Sequence, residues 1–454
     1  MLDGRSGSAD RGPFFSPAEE RLDAGGLLAL QRRKLADMLA EVLPGNVFYK
    51  TKFAGIGFDP LADPLQALPF TTRADLERDQ LAHPPFGTNL TYPIERYRRL
   101  HQTSGTGGHA MRWLDTAESW AWFRKIWGII FTSAGVGEED RILFAFSFGP
   151  FVGFWGAFEG ASAVGALTLP AGGMPTAARL RMCLENQATV VCCTPTYALH
   201  MAEFAQREGM NLARSAVKTI VVAGEPGGSI PSTRARIEAA WGARVVDHTG
   251  MTEMGPVSFE CRERSGGVHV VESEFIAEVI DPATGHGVPD GQIGELVLSN
   301  LGRWGSPLIR YRTGDQVRLT RGACACGRSF ARLEGGILGR VDEMFIVRGN
   351  NVFPTGIEAV LRGFDEVAEF RCTVVEGSAL TQVKMEVEPI PACADPAGLA
   401  RRAGEALQEA LHFRAQVLPV APGALPRFEL KARRFIRVKS SDTCPNNNPA
   451  ARLS

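Results

Sequence analysis

The chain is 454 residues long, 44% hydrophobic and 22% charged, which is too long for one ordinary core and predicts two or three domains. With 49 basic against 50 acidic residues the formal net charge is -1, so neither nucleic acid nor a membrane surface is favoured as a partner. The N-terminus lacks an apolar export core and no run is long enough to span a bilayer, so a cytoplasmic protein is expected; the nine cysteines, odd in number and unevenly spread, do not read as a secreted disulfide framework.

Residues 1–16, rich in Gly, Ser, Arg and Asp, read as poorly ordered. Across residues 17–43, Leu28, Leu35, Met38, Leu39 and Val42 recur at helical spacing, predicting one amphipathic helix that Pro44-Gly45 stops. Thr72 is placed to cap a second helix, with Asp75 in its first turn. Then comes His101-Gln-Thr-Ser-Gly-Thr-Gly-Gly-His-Ala-Met-Arg112, a Gly-rich stretch expected to run into a helix. Gly105, Gly107 and Gly108 would let backbone N–H groups point at an anion, and Thr103, Ser104 and Thr106 add hydroxyl donors, so a polyphosphate site is predicted. Taken alone, such a run reads more readily as a solvated turn, and the motifs downstream tip it toward phosphate.

Residues 115–131 place Trp120, Phe123, Trp127, Ile130 and Phe131 on one helical face, and residues 141–147 read as a buried strand. An aromatic, Gly-rich segment follows, then strands near 166–169, 189–192 and 219–223 with helices from residues 176 and 196. This alternation predicts a parallel sheet wrapped by helices, with Cys183, Cys192 and Cys193 as buried structural thiols. Residues 275–280 and 294–299 read as an antiparallel hairpin, followed by a short strand at 310–311. Residues 344–387 mix two strands with a helix near 354–364, and residues 440–454 read as a disordered tail.

The loop at 103–109, Ala223-Gly-Glu-Pro226, Thr249-Gly-Met-Thr-Glu253, Tyr311-Arg-Thr-Gly-Asp315, Gly339-Arg-Val-Asp342 and Pro426-Arg-Phe-Glu-Leu-Lys-Ala-Arg-Arg434 occur in the order in which the adenylate-forming enzymes carry their motifs. Through Thr252-Glu-Met-Gly-Pro256, Cys324-Ala-Cys-Gly-Arg328 and Arg348-Gly-Asn-Asn-Val-Phe-Pro354 the chain resembles the phenylacetate-CoA ligase branch, over roughly residues 65–438. The resemblance implies an α/β fold: a large N-terminal domain of helix-wrapped sheets with a β-barrel-like subdomain (1–338), a small mobile α+β lid domain (339–439), and the tail (440–454).

It also implies the chemistry. An aromatic carboxylic acid and ATP give acyl-AMP and pyrophosphate, and coenzyme A then takes the acyl group. Glu253 would help hold Mg²⁺ and Thr252 would contact the α-phosphate. Asp315 would accept hydrogen bonds from the ribose hydroxyls, and Arg340 would add a ribose or phosphate contact. Ala223, Gly224, Glu225 and Pro226 correspond to the segment along the adenine. Lys431 would bridge the carboxylate and the α-phosphate, against the plainer reading of Lys431, Arg433, Arg434 and Arg437 as a solvated basic stretch. Asp342 corresponds to the hinge, Arg348 and Gly349 to the pantetheine tunnel, and Phe148, Phe151 and Trp155 to the wall of the acyl pocket.

Two departures stand out. The family loop usually reads Thr-Ser/Gly-Gly-Thr-Thr-Gly-Lys-Pro, whereas Thr106-Gly-Gly-His109-Ala110 lacks one threonine and the lysine, so weaker ATP binding is expected unless His109 or Arg112 substitutes. Thr249 stands where an aromatic normally packs on adenine, which leaves His248 either as a stacked imidazole or as a core histidine. Separately, Cys261, His269, Cys324 and Cys326 form a Cys₃His set suited to a structural Zn²⁺, with buried thiols as the alternative; similar sequences also follow a cysteine pair with Gly-Arg. Transfer to a carrier protein or an amine, and a degenerate non-catalytic adenylate-binding protein, stay open as alternative functions, as does a homodimer.

Overall fold

The computed structural model describes residues 12–103, 110–146, 148–347, 350–376, 382–428 and 432–439. Of residues 1–16, expected to be poorly ordered, 1–11 lie outside the described residues, as does the tail, whereas residues 12–16 are placed, with Phe14 buried and Ser16 at the start of a helix. The chain divides between Val341 and Asp342 into two compact units. No helix among the described residues is long and apolar enough to cross a membrane.

In the larger unit the predicted first helix is split. After one turn, α1 (Pro17–Glu20), Asp23 accepts from the Gly26 N–H and starts α2 (Ala24–Gly45). Leu35, Met38, Leu39 and Val42 are buried on it as expected, whereas Leu28 is 52% exposed. Asn46 caps α3 (Val47–Lys52). Thr72 and Asp75 cap α4 (Arg73–Ala82) reciprocally, each side chain taking the other's backbone N–H.

The Gly-rich stretch does not run into a helix. It joins β1 (Tyr97–Gln102) to β2 (Arg112–Thr116), which pair antiparallel with His101 opposite Trp113. Thr116 then caps α5 (Ala117–Ser133), whose Trp122, Ile126 and Ile129 are buried alongside the predicted apolar face. Residues 115 and 116, expected to open the helix, instead end β2, because pairing with β1 and burial of Asp115 pull them into strand.

Next come β3 (Arg141–Phe144), α6 (Val152–Ala161), β4 (Leu167–Pro170), α7 (Thr176–Glu185), β5 (Val190–Cys193), α8 (Pro195–Arg207), β6 (Thr219–Val222), α9 (Pro231–Trp241) and β7 (Arg244–Asp247). The five strands form the predicted parallel sheet, in the order β4-β3-β5-β6-β7. Cys183, Cys192 and Cys193 are buried, and burial pushes the Cys183 thiol up to about 12.

A short hairpin of β8 (Gly250–Met251) and β9 (Gly255–Pro256) leads into antiparallel structure. It comprises β10 (Ser258–Cys261), β11 (Arg264–Val270), β12 (Phe275–Ile280), β13 (Ile293–Asn300), β14 (Tyr311–Thr320), β15 (Arg332–Glu334) and β16 (Gly339–Arg340). The order is β10-β11-β15-β14-β13-β12, with β16 on β14. The strand expected at 310–311 thus extends through Thr320.

The smaller unit opens with the hairpin of β17 (Phe345–Val347) and β18 (Asn350–Val352), then α10 (Pro354–Leu361). β19 (Val367–Glu376), β20 (Gln382–Pro389), α11 (Pro396–Leu411), β21 (Gln416–Pro419) and β22 (Phe435–Lys439) complete it, with strand order β21-β20-β19-β22. Ile357, Leu361, Phe370, Met385, Leu399 and Leu407 form its core.

Candidate active site

In a parallel sheet, ligands bind where the strands end at their carboxyl edge. Three of the sequence motifs sit there. The loop after β3 carries Phe148 and Phe151, the loop after β6 carries Ala223 to Pro226, and the loop after β7 carries His248 to Glu253.

The apolar wall is tightly built. Phe148 packs against Trp155 with ring centroids 4.8 Å apart, and the Trp155 indole N–H donates to the Gly149 carbonyl at 2.8 Å. A Cβ on Gly172 would lie 2.4 Å from the Phe148 ring, so only glycine fits beneath this wall. Gly224 has φ +91, in the left-handed region that favours glycine. Glu225 accepts from the Thr196 N–H at 2.8 Å, at the start of α8.

His248 is buried edge-on against Trp127, with centroids 4.6 Å apart, and burial lowers its pKa to about 4. It is a neutral, packed imidazole. Thr249 bonds to Ser258 through both its N–H and its hydroxyl, at 2.9 and 2.7 Å.

Charge concentrates around Glu253. Burial pushes its carboxyl above the usual range, while the Arg73, Arg303 and Arg340 guanidinium groups pull it back. Arg73 Nη1 stands 3.8 Å from Glu253 Oε1. Arg340 on β16 lies opposite Asp315 on β14, with Nη1 3.0 Å from Oδ1, so two residues expected at the ribose meet directly. Thr252 is half-buried, and its carbonyl and that of Glu253 accept from Arg303 at 2.9 and 2.7 Å.

At the Gly-rich loop, Thr103 and Met111 close the base. Thr103 N–H donates to the Met111 carbonyl and Met111 N–H to the Thr103 hydroxyl, both at 3.0 Å. Ser104, Gly105, Thr106, Gly107, Gly108 and His109 lie outside the described residues. Arg112, the described candidate for the missing lysine's place, is exposed, and its guanidinium donates to the Pro85 carbonyl at 2.9 Å. Arg73, one of the cations around Glu253, has no local sequence signal beyond its place after a helix cap and was not anticipated.

In the smaller unit, Lys431, Arg348 and Gly349 also lie outside the described residues, and Asp342 is exposed at the unit's start. The chain on either side of Lys431 is anchored. Arg427 donates to both Glu388 oxygens at 3.1 and 2.6 Å, and buried Arg434 pairs with Glu369 at 2.6 Å and Glu358 at 3.3 Å. A uniformly solvated basic stretch is therefore ruled out for Arg434.

Cys261 and His269 from the β10–β11 hairpin converge with Cys324 and Cys326 from the loop after β14, their ligand atoms all within 4.8 Å of one another. Cys261 and Cys324 sulfurs are 3.8 Å apart, as are Cys326 Sγ and His269 Nε2. His269 Nδ1 lies 2.9 Å from the Phe330 carbonyl, a bond that leaves the Nε2 lone pair directed at the sulfurs.

Comparison with known proteins bears on this geometry. Residues 101–302 match the AMP-binding enzyme family and residues 349–439 the AMP-binding enzyme C-terminal domain. A phenylacetate-coenzyme A ligase of Thermus thermophilus is 34% identical over 83% of this chain and 84% of its own length. That of Pseudomonas putida is 33% identical over 75% and 76%. The crystal structure of a 2-hydroxyisobutyryl-CoA ligase in the postadenylation state, in complex with 2-HIB-AMP, superimposes with a TM-score of 0.89 at 29% identity, covering 96% of this chain and 95% of that one.

Proposed function

Because the chain belongs to the AMP-binding enzymes, in the phenylacetate-CoA ligase-like branch, and works as an AMP-forming acid:CoA ligase, we propose that its acid is aromatic and that the residues around Glu253 run the first half-reaction. In that half-reaction a carboxylate oxygen attacks the α-phosphorus of ATP and pyrophosphate leaves. The thiol of coenzyme A then attacks the acyl carbon of acyl-AMP and AMP leaves. The observation that carries the assignment is the charge cluster in which Arg73 stands 3.8 Å from the buried Glu253 carboxyl, Arg303 holds the Glu253 backbone and Arg340 pairs with Asp315.

Each residue has a task that its chemistry fits. Thr252 contacts the α-phosphate, Asp315 and Arg340 take the ribose, and Ala223 to Pro226 lie along the adenine. The loop between Thr103 and Met111 holds the outer phosphates. Lys431 offsets the repulsion between the two anions that must react, and Asp342 is the hinge. Phe148, Phe151 and Trp155 give flat apolar contact to an aromatic ring.

Two metals fit the donor sets. Glu253 is a buried carboxylate whose ion partner stands at 3.8 Å, which leaves it oxygen lone pairs for a hard ion such as Mg²⁺. Bound there, Mg²⁺ would neutralise phosphate charge. Tetrahedral Zn–S bonds of about 2.3 Å place neighbouring sulfurs about 3.8 Å apart, and the Cys261–Cys324 separation of 3.8 Å matches. A structural Zn²⁺ would tie the β10–β11 hairpin to the loop after β14.

The test is ATP–pyrophosphate exchange with phenylacetate, benzoate and 2-hydroxyisobutyrate. Aromatic acids should drive exchange best, and a preference for 2-hydroxyisobutyrate would overturn the aromatic reading. Lys431→Ala should lower exchange by ~10²–10³-fold while sparing thioester formation from supplied acyl-AMP. Equal loss in both assays would remove Lys431 from its role. Binding of ATP without exchange for any acid would point to a non-catalytic protein.

A further inference from the structure

Arg303, in the segment between β13 and β14, touches two elements to which the proposed function gives phosphate and metal. It is fully buried, at 0% exposure. Its Nε and Nη2 donate to Oδ1 and Oδ2 of Asp115 at 2.7 and 2.8 Å, and its Nη1 donates to the Thr252 and Glu253 carbonyls at 2.9 and 2.7 Å. The Trp113 and Phe123 rings lie 5.3 and 5.0 Å from its Cζ. Asp115 sits on β2, the strand that leaves the Gly-rich loop, and faces His101 on β1, the strand that enters it, at 3.4 Å. One cation therefore joins the base of the Gly-rich hairpin to the peptide that carries Glu253.

A buried ion pair is a poor device for stability alone, since apolar side chains of similar volume serve as well. This one does more than pair. Half of its hydrogen bonds go to the two backbone carbonyls that flank the Glu253 Cα, those of Thr252 and Glu253, and only a planar fork can make them while gripping a carboxylate. Burial would push the Asp115 carboxyl up, but Arg303 and His101 hold it below the usual carboxylate range, so the pair stays charged.

We propose that Arg303 is a positioning residue for adenylation. It fixes the Thr252–Glu253 peptide relative to the Gly-rich hairpin before nucleotide binds, and so presets the metal-holding carboxylate. This rests on Glu253 holding Mg²⁺, as proposed above. The thioester step, in which a thiol displaces AMP, makes no use of that carboxylate.

The experiment uses the full-length enzyme and compares Arg303→Met and Arg303→Lys with Glu253→Gln. Two assays are run: Mg²⁺ titration of ATP–pyrophosphate exchange, and thioester formation from supplied acyl-AMP and coenzyme A. Arg303→Met should raise the half-saturating Mg²⁺ concentration about tenfold and lower exchange ~10²-fold, the scale of a 1 Å misplacement, with thioester formation changed less than about threefold. Arg303→Lys, which keeps the buried cation but not the fork, should fall between and carries the test if the methionine variant does not fold. Equal losses in both assays, or a lowered thermal midpoint with an unchanged Mg²⁺ titration, would overturn the proposal. If Glu253→Gln leaves the Mg²⁺ titration unmoved, the metal reading of Glu253 fails. If Glu253→Gln shifts it and the Arg303 variants do not, only the positioning role fails.

Discussion

The large unit is tied by two polar knots of opposite chemistry. Arg303 and Asp115 are hard charges whose hydrogen bonds are satisfied within the chain, whereas Cys261, His269, Cys324 and Cys326 bring soft and borderline donor atoms within 4.8 Å of one another. The first knot owes its strength to groups already present. The second would owe its strength to what it binds, because thiols at that separation hydrogen-bond weakly.

The comparison breaks most sharply at Asp115. Asp115→Ala leaves a buried guanidinium unpaired and should cost about 3–5 kcal/mol in denaturant unfolding. The double variant Asp115→Leu/Arg303→Met should recover most of that stability without recovering Mg²⁺ affinity, which separates holding the fold from placing Glu253. A double variant as unstable as Asp115→Ala would mean that this core needs the charges themselves.

The second knot is probed by chelation. Stripping a metal held a thousandfold above its dissociation constant should remove about 4 kcal/mol, seen as a lower thermal midpoint. The Cys326→Ser variant should begin from that lower midpoint and not respond to chelator. A wild-type protein that contains no zinc and is indifferent to chelator would leave the four groups as buried thiols and an imidazole.

A smaller effect separates a buried carboxyl held by an arginine fork from one held by a hydroxyl. Burial pushes Asp247 up to about 7, helped by Glu260 and opposed by Ser229 and Arg234. Between its ordinary value of 3.8 and about 7 the unfolded chain releases this proton while the folded chain keeps it, so stability falls as pH rises through that window. Asp247→Asn should raise stability at pH 8 by about 1 kcal/mol or more and flatten the profile. Asp115 has the opposite sign. Its lowered pKa contributes stability above its unfolded value that is lost as pH falls through the folded one.

What could be read from the sequence follows from how local each signal is. The parallel sheet announced itself through short apolar runs between helical segments, and the capping box through Thr72 and Asp75. The Cys/His set was visible because four residues of two uncommon types stand out even across 65 positions. Arg303 and Asp115 were invisible for the converse reason: they lie 188 positions apart, and their residue types occur throughout the chain. The β1–β2 hairpin was missed because strand pairing, a tertiary effect, decides the conformation of Arg112–Thr116. Asp115 and Thr116 on their own look like a helix start.

That hairpin changes the electrostatics of the nucleotide site. Where a glycine turn precedes a helix, the macrodipole lends the ligand roughly half a positive charge. Strands carry almost no net dipole, so a segment whose neighbours on both sides are the strands β1 and β2 receives no such help. Long-range attraction for a triphosphate would then draw more on side-chain cations such as Arg73, 3.8 Å from Glu253, and a side-chain field of that kind fades as ionic strength rises.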